Sequence, residues 1–492
     1  MKFSFALATL LLSIEHSEAF TTKTYRSSLK TTASTSALSS VNNVVLRPTT
    51  ADNPTTNGGN DETEGLLDVF DSLKIGSPIV HRYKSSTAYD YDSETDSSVN
   101  YVMWYQGRSI ALDSEIENSL PPLSTGRIGR CVSKNGLVFQ KDIKGAIGED
   151  IKGVSLGLNN ESWWNFDTSH VGLGSVLLPM TTPAVMTEGG IYLMYYFGGN
   201  FEETSIKEYM TTDAGKDISE DIKIKGMKMR IGVAVSQDGE TWGRVEGDDP
   251  SGACMVPYDT DDTNTASMAD EKEDDGKTPV VLEEELYCGW PEVVVKIDND
   301  NSANSGFFMY YSTMTKITKE KSIAVAVSSD GFRWFKRGLC LQPSTSSDSE
   351  ERNSLDDGGC ARCNVVRNAS YNKENETWSD EPGYIMHYEG VSLTDNKHRI
   401  LSATSPDGRT WTKSSTESTA NAAAALDIGN ADTWDCDGVG SPHILRIDDG
   451  SQRMYYVGQQ GKDTAIGVAK LELGSTTWVK EQSSIVFAEL NP

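Results

Sequence analysis

One pattern recurs five times along this chain: a β-rich run, a tight turn, then an aromatic residue. The copies are RIGRCVSKNGLVF (Arg127–Phe139), RIGVAVSQDGETW (Arg230–Trp242), SIAVAVSSDGFRW (Ser322–Trp334), RILSATSPDGRTW (Arg399–Trp411) and AIGVAKLELGSTTW (Ala465–Trp478). Alternating small and branched residues make a strand, and Asp-Gly or Asn-Gly makes a turn because glycine accepts positive φ. The aromatic is expected to open a partner strand and pack on the next unit. An aromatic-rich run precedes each copy: YVMWYQG from Tyr101, IYLMYYFGG from Ile191, FFMYYSTM from Phe307, YIMHYEG from Tyr384 and RMYYVGQ from Arg453. These read as buried strands. A third run stands before each of those: Gly76–Arg82, Gly174–Met180, Gly289–Ile297, Ala361–Asn368 and Gly440–Ile447.

With a fourth strand beginning near each aromatic, this is an all-β chain: a five-bladed β-propeller of four-stranded antiparallel blades. In such a fold the first strand of each blade lines a central channel. Loops from the last strand to the next blade, and those between second and third strands, fall on one entry face. The long insertions near 141–164, 200–229, 248–285, 339–356 and 412–432 belong there, and those at 83–100 and 369–382 belong opposite. Insertions gathered on one face often build a binding site. The turn residues Asp238, Asp330 and Asp407 lie on the opposite face and are expected to be structural.

A sharper repeat stands before the first strands. Phe70-Asp71, three residues, Ile75-Gly-Ser-Pro matches Trp434-Asp435, three residues, Val439-Gly-Ser-Pro. Phe166-Asp167 stands at the same place in the second blade, with Glu284 and Asp356 as weaker matches in the third and fourth. Carboxylates converging on a funnel repel one another and separate an acid from a base, which glycoside cleavage needs. The same acids can instead bond backbone N–H groups once per blade. Both readings stand at this point.

Departures from the repeat single out further side chains. The inner strands carry Trp290 and Glu292, Arg362 and Asn364, then His443. Glu292 precedes a Val-Val-Val run and must be paired or face the channel. A buried Glu292–Arg362 ion pair is one expectation, and a general acid oriented by Arg362 or His443 is the other. Trp163 and Trp164 precede Asp167 and offer a sugar-stacking platform or loop packing. The candidate catalytic set is Asp71, Asp167 and Glu292. The candidate substrate-binding set is Trp164, His170, Trp290, Arg362, Asn364, Asp356, Asp435 and His443. No cofactor is expected and no metal ligand is assigned.

Composition narrows the partners. The net charge of −28 argues against nucleic acid, since phosphate binding needs clustered Lys and Arg. The seven cysteines are an odd number and form no dense disulfide framework. No run is long enough for a transmembrane helix, and a monomer is expected. Lys2, the apolar Phe3–Ile14 stretch and Ser17-Glu18-Ala19 read as a signal peptide over residues 1–19. Residues 20–62 are Ser/Thr-rich and basic up to Ala51, a transit peptide or disordered linker. The propeller is expected over 63–492. The leader resembles the bipartite plastid presequence of algae with secondary plastids, which implies a plastid reached by the secretory route; secretion is the alternative.

The S-x-D-G-x-x-W turns and Tyr-Tyr strands resemble the arabinanase/levansucrase/invertase superfamily of five-bladed propeller glycosidases. Phe70–Gly76 is also similar to its mannoside-phosphorylase branch. The resemblance covers about Asp68 to Leu490 and implies a carbohydrate in the central funnel, cleaved or only bound. In those families an Asp precedes Pro on the first inner strand, where this chain has Ser77. The second-blade Asp-Pro is replaced around Ser175. The third-blade acid stands where this chain has Gly289, with Glu292 the nearest substitute.

Overall fold

Five antiparallel units form, one for each repeat, and they close into a ring. The computed structural model describes residues 44–49, 69–84, 99–109, 126–142, 151–177 without 152, 191–210, 219–261 without 220, 281–296, 306–344, 354–416 and 419–481 without 423. The inner strands are Lys74–Lys84, His170–Leu177, Glu285–Lys296, Gly359–Asn372 and Gly438–Arg446. Each pairs antiparallel with a second strand, and that with a third. The five-bladed, four-stranded expectation therefore holds. Of the signal and transit segments expected over residues 1–62, all but residues 44–49 lie outside the described residues.

The outer strand is often built in two pieces. In the first blade Gln140–Lys141 and Val154–Leu156 both pair with the third strand, and in the fourth Thr412–Lys413 and Ala424–Leu426 do so. In the fifth blade one piece is Val479–Lys480, but the other is Val44–Leu46. This corrects the expected boundary at residue 63. Val44, Val45 and Leu46 are buried, and Thr49 bonds Asp71 in the first blade, so the segment bridges the seam where the ring closes. A short Val-Val-Leu run inside a Ser/Thr-rich stretch supplies too little pattern to be read as a strand alone.

The Asp-Gly turns are built as their spacing implies. In the second, third and fourth blades a serine hydroxyl accepts two turn N–H groups, and the aspartate accepts two more. Gly239, Gly331 and Gly408 take φ of 71°, 82° and 76°. Four of the five turns accept a hydrogen bond from a second-strand side chain of the blade before. Trp104 donates to the Gly239 carbonyl at 2.8 Å, Tyr195 to Gly331 at 2.9 Å, Tyr310 to Gly408 at 2.7 Å and Tyr455 to Gly136 at 2.9 Å. The turn's aromatic packs against that same residue: Trp242 on Trp104, Trp334 on Tyr195, Trp411 on Tyr310, Trp478 on His387 and Phe139 on Tyr455. The aromatic thus faces back onto the preceding blade, not onward as expected, because the latch reaches forward into its turn. The core lies between these blade faces.

Candidate functional site

The repeated acids are bound five times in one way. On each second strand the residue after the latch is a tyrosine pointing to the opposite face, as strand alternation requires. Its hydroxyl donates to the acid before the inner strand of the same blade: Tyr105 to Asp71, Tyr196 to Asp167, Tyr311 to Glu285, Tyr388 to Asp356 and Tyr456 to Asp435, at 2.8–3.0 Å. A cation on the outer strand completes each group. Lys141, Arg244, Lys336, Lys413 and Lys480 reach those same carboxylates at 2.5–2.6 Å. Asp71, Asp167 and Asp356 are fully buried and Asp435 nearly so.

This placement corrects the sequence-based roles of these acids. Asp71 and Asp167, expected as catalytic, and Asp356 and Asp435, expected to touch substrate, are held inside blades by an ion pair and a phenol. Burial works to raise the Asp356 carboxyl, but Lys413 and its hydrogen bonds outweigh it and hold the pKa below the ordinary value. In the third blade the clamp acid is Glu285, while Glu284 sits at the rim with Thr260 and Lys316. The cations were not read from the sequence. Their signal was the second residue after each turn aromatic: Phe139-Gln-Lys, Trp242-Gly-Arg, Trp334-Phe-Lys, Trp411-Thr-Lys and Trp478-Val-Lys.

Glu292, Asn364 and His443 occupy one register position on successive inner strands and lace each strand to its neighbour. Ser175 Oγ accepts the Val293 N–H at 3.1 Å. Glu292 Oε1 accepts the Val365 N–H at 3.1 Å and the Asn364 amide at 2.6 Å. Asn364 Oδ1 accepts the Ile444 N–H, and His443 Nε2 donates to the Val80 carbonyl, both at 2.9 Å. His81 Nε2 donates onward to the Val176 carbonyl at 2.8 Å, which completes the circuit. No Glu292–Arg362 pair forms; Asn364 takes that place. Burial, opposed by the Val365 and Asn364 bonds, pushes the Glu292 pKa up to about 8. No carboxylate among the described residues contributes to that shift.

Backbone strain marks the channel wall. Ser77, Trp290, Arg362 and Ser441 have φ of 47°, 48°, 35° and 48°, one at the bulge of each of four inner strands. The bulge turns backbone donors toward the preceding blade: Arg362 N–H bonds Ser312 Oγ, and Ser441 N–H bonds Glu389. In the second blade the irregularity falls at Gly174, where a Cβ would lie 2.4 Å from Pro291. Arg362 stays partly exposed, its guanidinium 4.9 Å from the Trp290 ring and 3.6 Å from Glu389. Burial works to raise the Glu389 carboxyl, but Arg362, His398 and the Ser441 N–H bring its pKa down to about 2. Trp290 is buried against Phe197 and Arg362, so its ring is already occupied. His170 is buried too, its Nε2 donating to the Gly226 carbonyl. Trp163 and Trp164 differ: they are 83% and 52% exposed, their rings 5.9 Å apart and perpendicular. Their loop runs from the first blade's outer strand to the second blade's inner strand, on the entry face.

The fold defines a five-bladed propeller with an entry face and a laced channel. No protein-family model and no curated protein sequence matches the chain. Solved structures do match in overall shape. One described as a glycoside hydrolase is 14% identical, covers 90% of this chain and 94% of its own, and has a TM-score of 0.46. A structure from the GH130 family of mannoside phosphorylases, whose glycoside hydrolases target beta-1,2 mannosidic linkages in Candida mannan, is 12% identical. It covers 89% of this chain and 96% of its own, with a TM-score of 0.45. An endo-arabinase from Bacteroides thetaiotaomicron is 11% identical over 82% of this chain and 97% of its own, with a TM-score of 0.40. These are the kinds of protein that the repeats resemble, while the blade count rests on the chain's own strand pairing. Among the described residues no helix is long and apolar enough to cross a membrane.

Proposed function

We propose that the chain is a carbohydrate-binding propeller that works through its entry face, without two-carboxylate cleavage by Asp71, Asp167 and Glu292. The observation that carries this reading is the pair Trp163 and Trp164. Two tryptophans kept in water at the mouth of a propeller offer perpendicular ring surfaces for the C–H faces of a sugar. Arg362 on the channel wall adds a partly exposed donor for hydroxyl or carboxylate oxygens. Glycoside hydrolysis needs two carboxyls within about 5–10 Å in one pocket. Here two of the three candidates are locked in separate blade clamps, and the third is bonded by Asn364 and the Val365 N–H and not by a carboxylate among the described residues.

The test is oligosaccharide binding followed by tryptophan fluorescence and calorimetry, beside a hydrolysis and phosphorolysis screen. A tryptophan fluorescence change on binding is expected in the parent and absent in Trp163→Ala/Trp164→Ala, with no turnover in either. Turnover that Glu292→Gln abolishes while the fold survives refutes the proposal. That outcome favours the one competing reading, in which the raised Glu292 carboxyl acts as a general acid.

A further inference from the structure

The repeat is broken at one seam in a way that the entry-face reading does not use. Two positions before the latch, the second strands carry Leu193, Phe308, Ile385 and Arg453 in the later blades, but Val102 in the first. On the paired third strand, opposite the latch, the later blades carry Val233, Val325, Ser402 and Val468, whereas the first carries Arg130 opposite Trp104. The first blade thus carries the shortest of the five side chains at one position and the only charged one at the other, on the face that meets the second blade. The wedge between these blades holds a cavity of about 630 Å³, on the turn face and away from the funnel. Small-molecule sites commonly measure about 300–1,000 Å³.

We propose that this wedge binds a neutral sugar of one to a few rings. Tyr83, Val102 and Tyr192 give it apolar walls, and Gln140 places an amide at its exposed side. Arg130 sits between Asp142 at 2.8 Å and Glu240 at 3.1 Å, so its charge is already balanced and an anionic ligand gains little. Its Nε–H, however, is buried and has no hydrogen-bond partner among the described residues. That donor is closed to solvent, so the polar contact open to a ligand is the exposed Gln140 amide, an uncharged donor and acceptor that suits a sugar hydroxyl. The tyrosine hydroxyls are directed inward: Tyr192 bonds Tyr83, and Tyr83 bonds His81 Nδ1, the nitrogen left free by the His81–Val176 bond. The rings thus remain as surfaces for the C–H face of a pyranose or furanose.

This site is independent of Trp163 and Trp164, and the experiment separates the two. Saturation-transfer NMR is run on the full chain with cellobiose, mannobiose and arabinobiose. At least one disaccharide is expected to give transfer that survives Trp163→Ala/Trp164→Ala. Val102→Phe, which places in the first blade the residue that the third carries at Phe308, should abolish that transfer without lowering Tm. Transfer that survives Val102→Phe, that disappears with the tryptophans, or that no disaccharide gives overturns the proposal.

Discussion

Replacing Glu292 by glutamine tests whether this side chain is a buried neutral lace or an ionised functional group. The folded carboxyl titrates at about 8 against an ordinary 4.5, with burial as the main cause. Below pH 4.5 both folded and unfolded chains hold the proton, and no penalty arises. Between 4.5 and 8 the unfolded chain has released it while the folded chain retains it, so this group's contribution to stability falls as pH rises. The slope is about 1.4 kcal/mol per pH unit, or about 5 kcal/mol over the whole interval. From pH 6.5 to 8 alone the loss is about 2 kcal/mol. Glutamine keeps the Oε1 acceptor that Val365 and Asn364 use and has no proton to lose. Urea unfolding of both proteins from pH 5 to 9 checks this, because every other titrating group cancels in the difference. The variant should gain on the parent steadily up to pH 8 and then level off. A gap that stays constant with pH refutes the reasoning, since Glu292 would then be ionised at neutral pH in the folded chain.

Three further outcomes follow from the same geometry. Lys336→Met leaves the buried Glu285 carboxylate with Tyr311 and the Tyr258 N–H but no cation, and should cost about 3–5 kcal/mol in urea unfolding. Glu285→Leu/Lys336→Met, which removes both charges, should recover most of that loss. His81 titrates at about 3 and His170, His387 and His443 at about 4, each lowered mainly by burial. The unfolded chain binds these protons first, so their stability is fully present above pH 6.5 and is lost as pH falls toward 4. Circular dichroism should show acid unfolding in that window, and His443→Gln should move it to lower pH. A chain beginning at Thr50 loses Val44–Leu46 and should be weaker than one beginning at Asn42 by roughly 5 kcal/mol in urea unfolding. We propose accordingly that any presequence cut falls before Val44, which N-terminal sequencing of the mature protein checks.

Blade count, turn chemistry and strand order were legible because each rests on local pattern: a Gly at positive φ, a period-2 run, an aromatic at a fixed offset. Clamp membership was legible only in part. The acids stood out because Asp before Gly-Ser-Pro is unusual, but their partners lie on the second and outer strands, more than 20 residues away in every blade. Glu285 was misplaced by one residue because the longer side chain reaches the same carboxylate position from a shifted backbone site. Val44–Leu46 was missed because its pairing partner lies more than 400 residues downstream. Charge balance cannot be read from one strand at a time.

The clamps also explain why repetition was a poor guide to function here. A group needed once per blade is tied to the blade's own geometry, and five copies of acid, tyrosine and cation are what five equivalent sheets require. A group that binds something else has no reason to obey the repeat. Trp163 and Trp164 have no counterparts at the other blade entries, and Arg130 departs from a position that the later blades fill with valine or serine. Binding chemistry should therefore be sought where the fivefold pattern fails and the side chain remains reachable. Asp71 and Asp167 satisfy neither condition. Glu292 breaks the pattern in kind but not in place, since Ser175, Asn364 and His443 do the same lacing beside it. Its pH-dependent cost is the consequence of using a carboxylic acid where a serine or an amide serves the neighbouring blades.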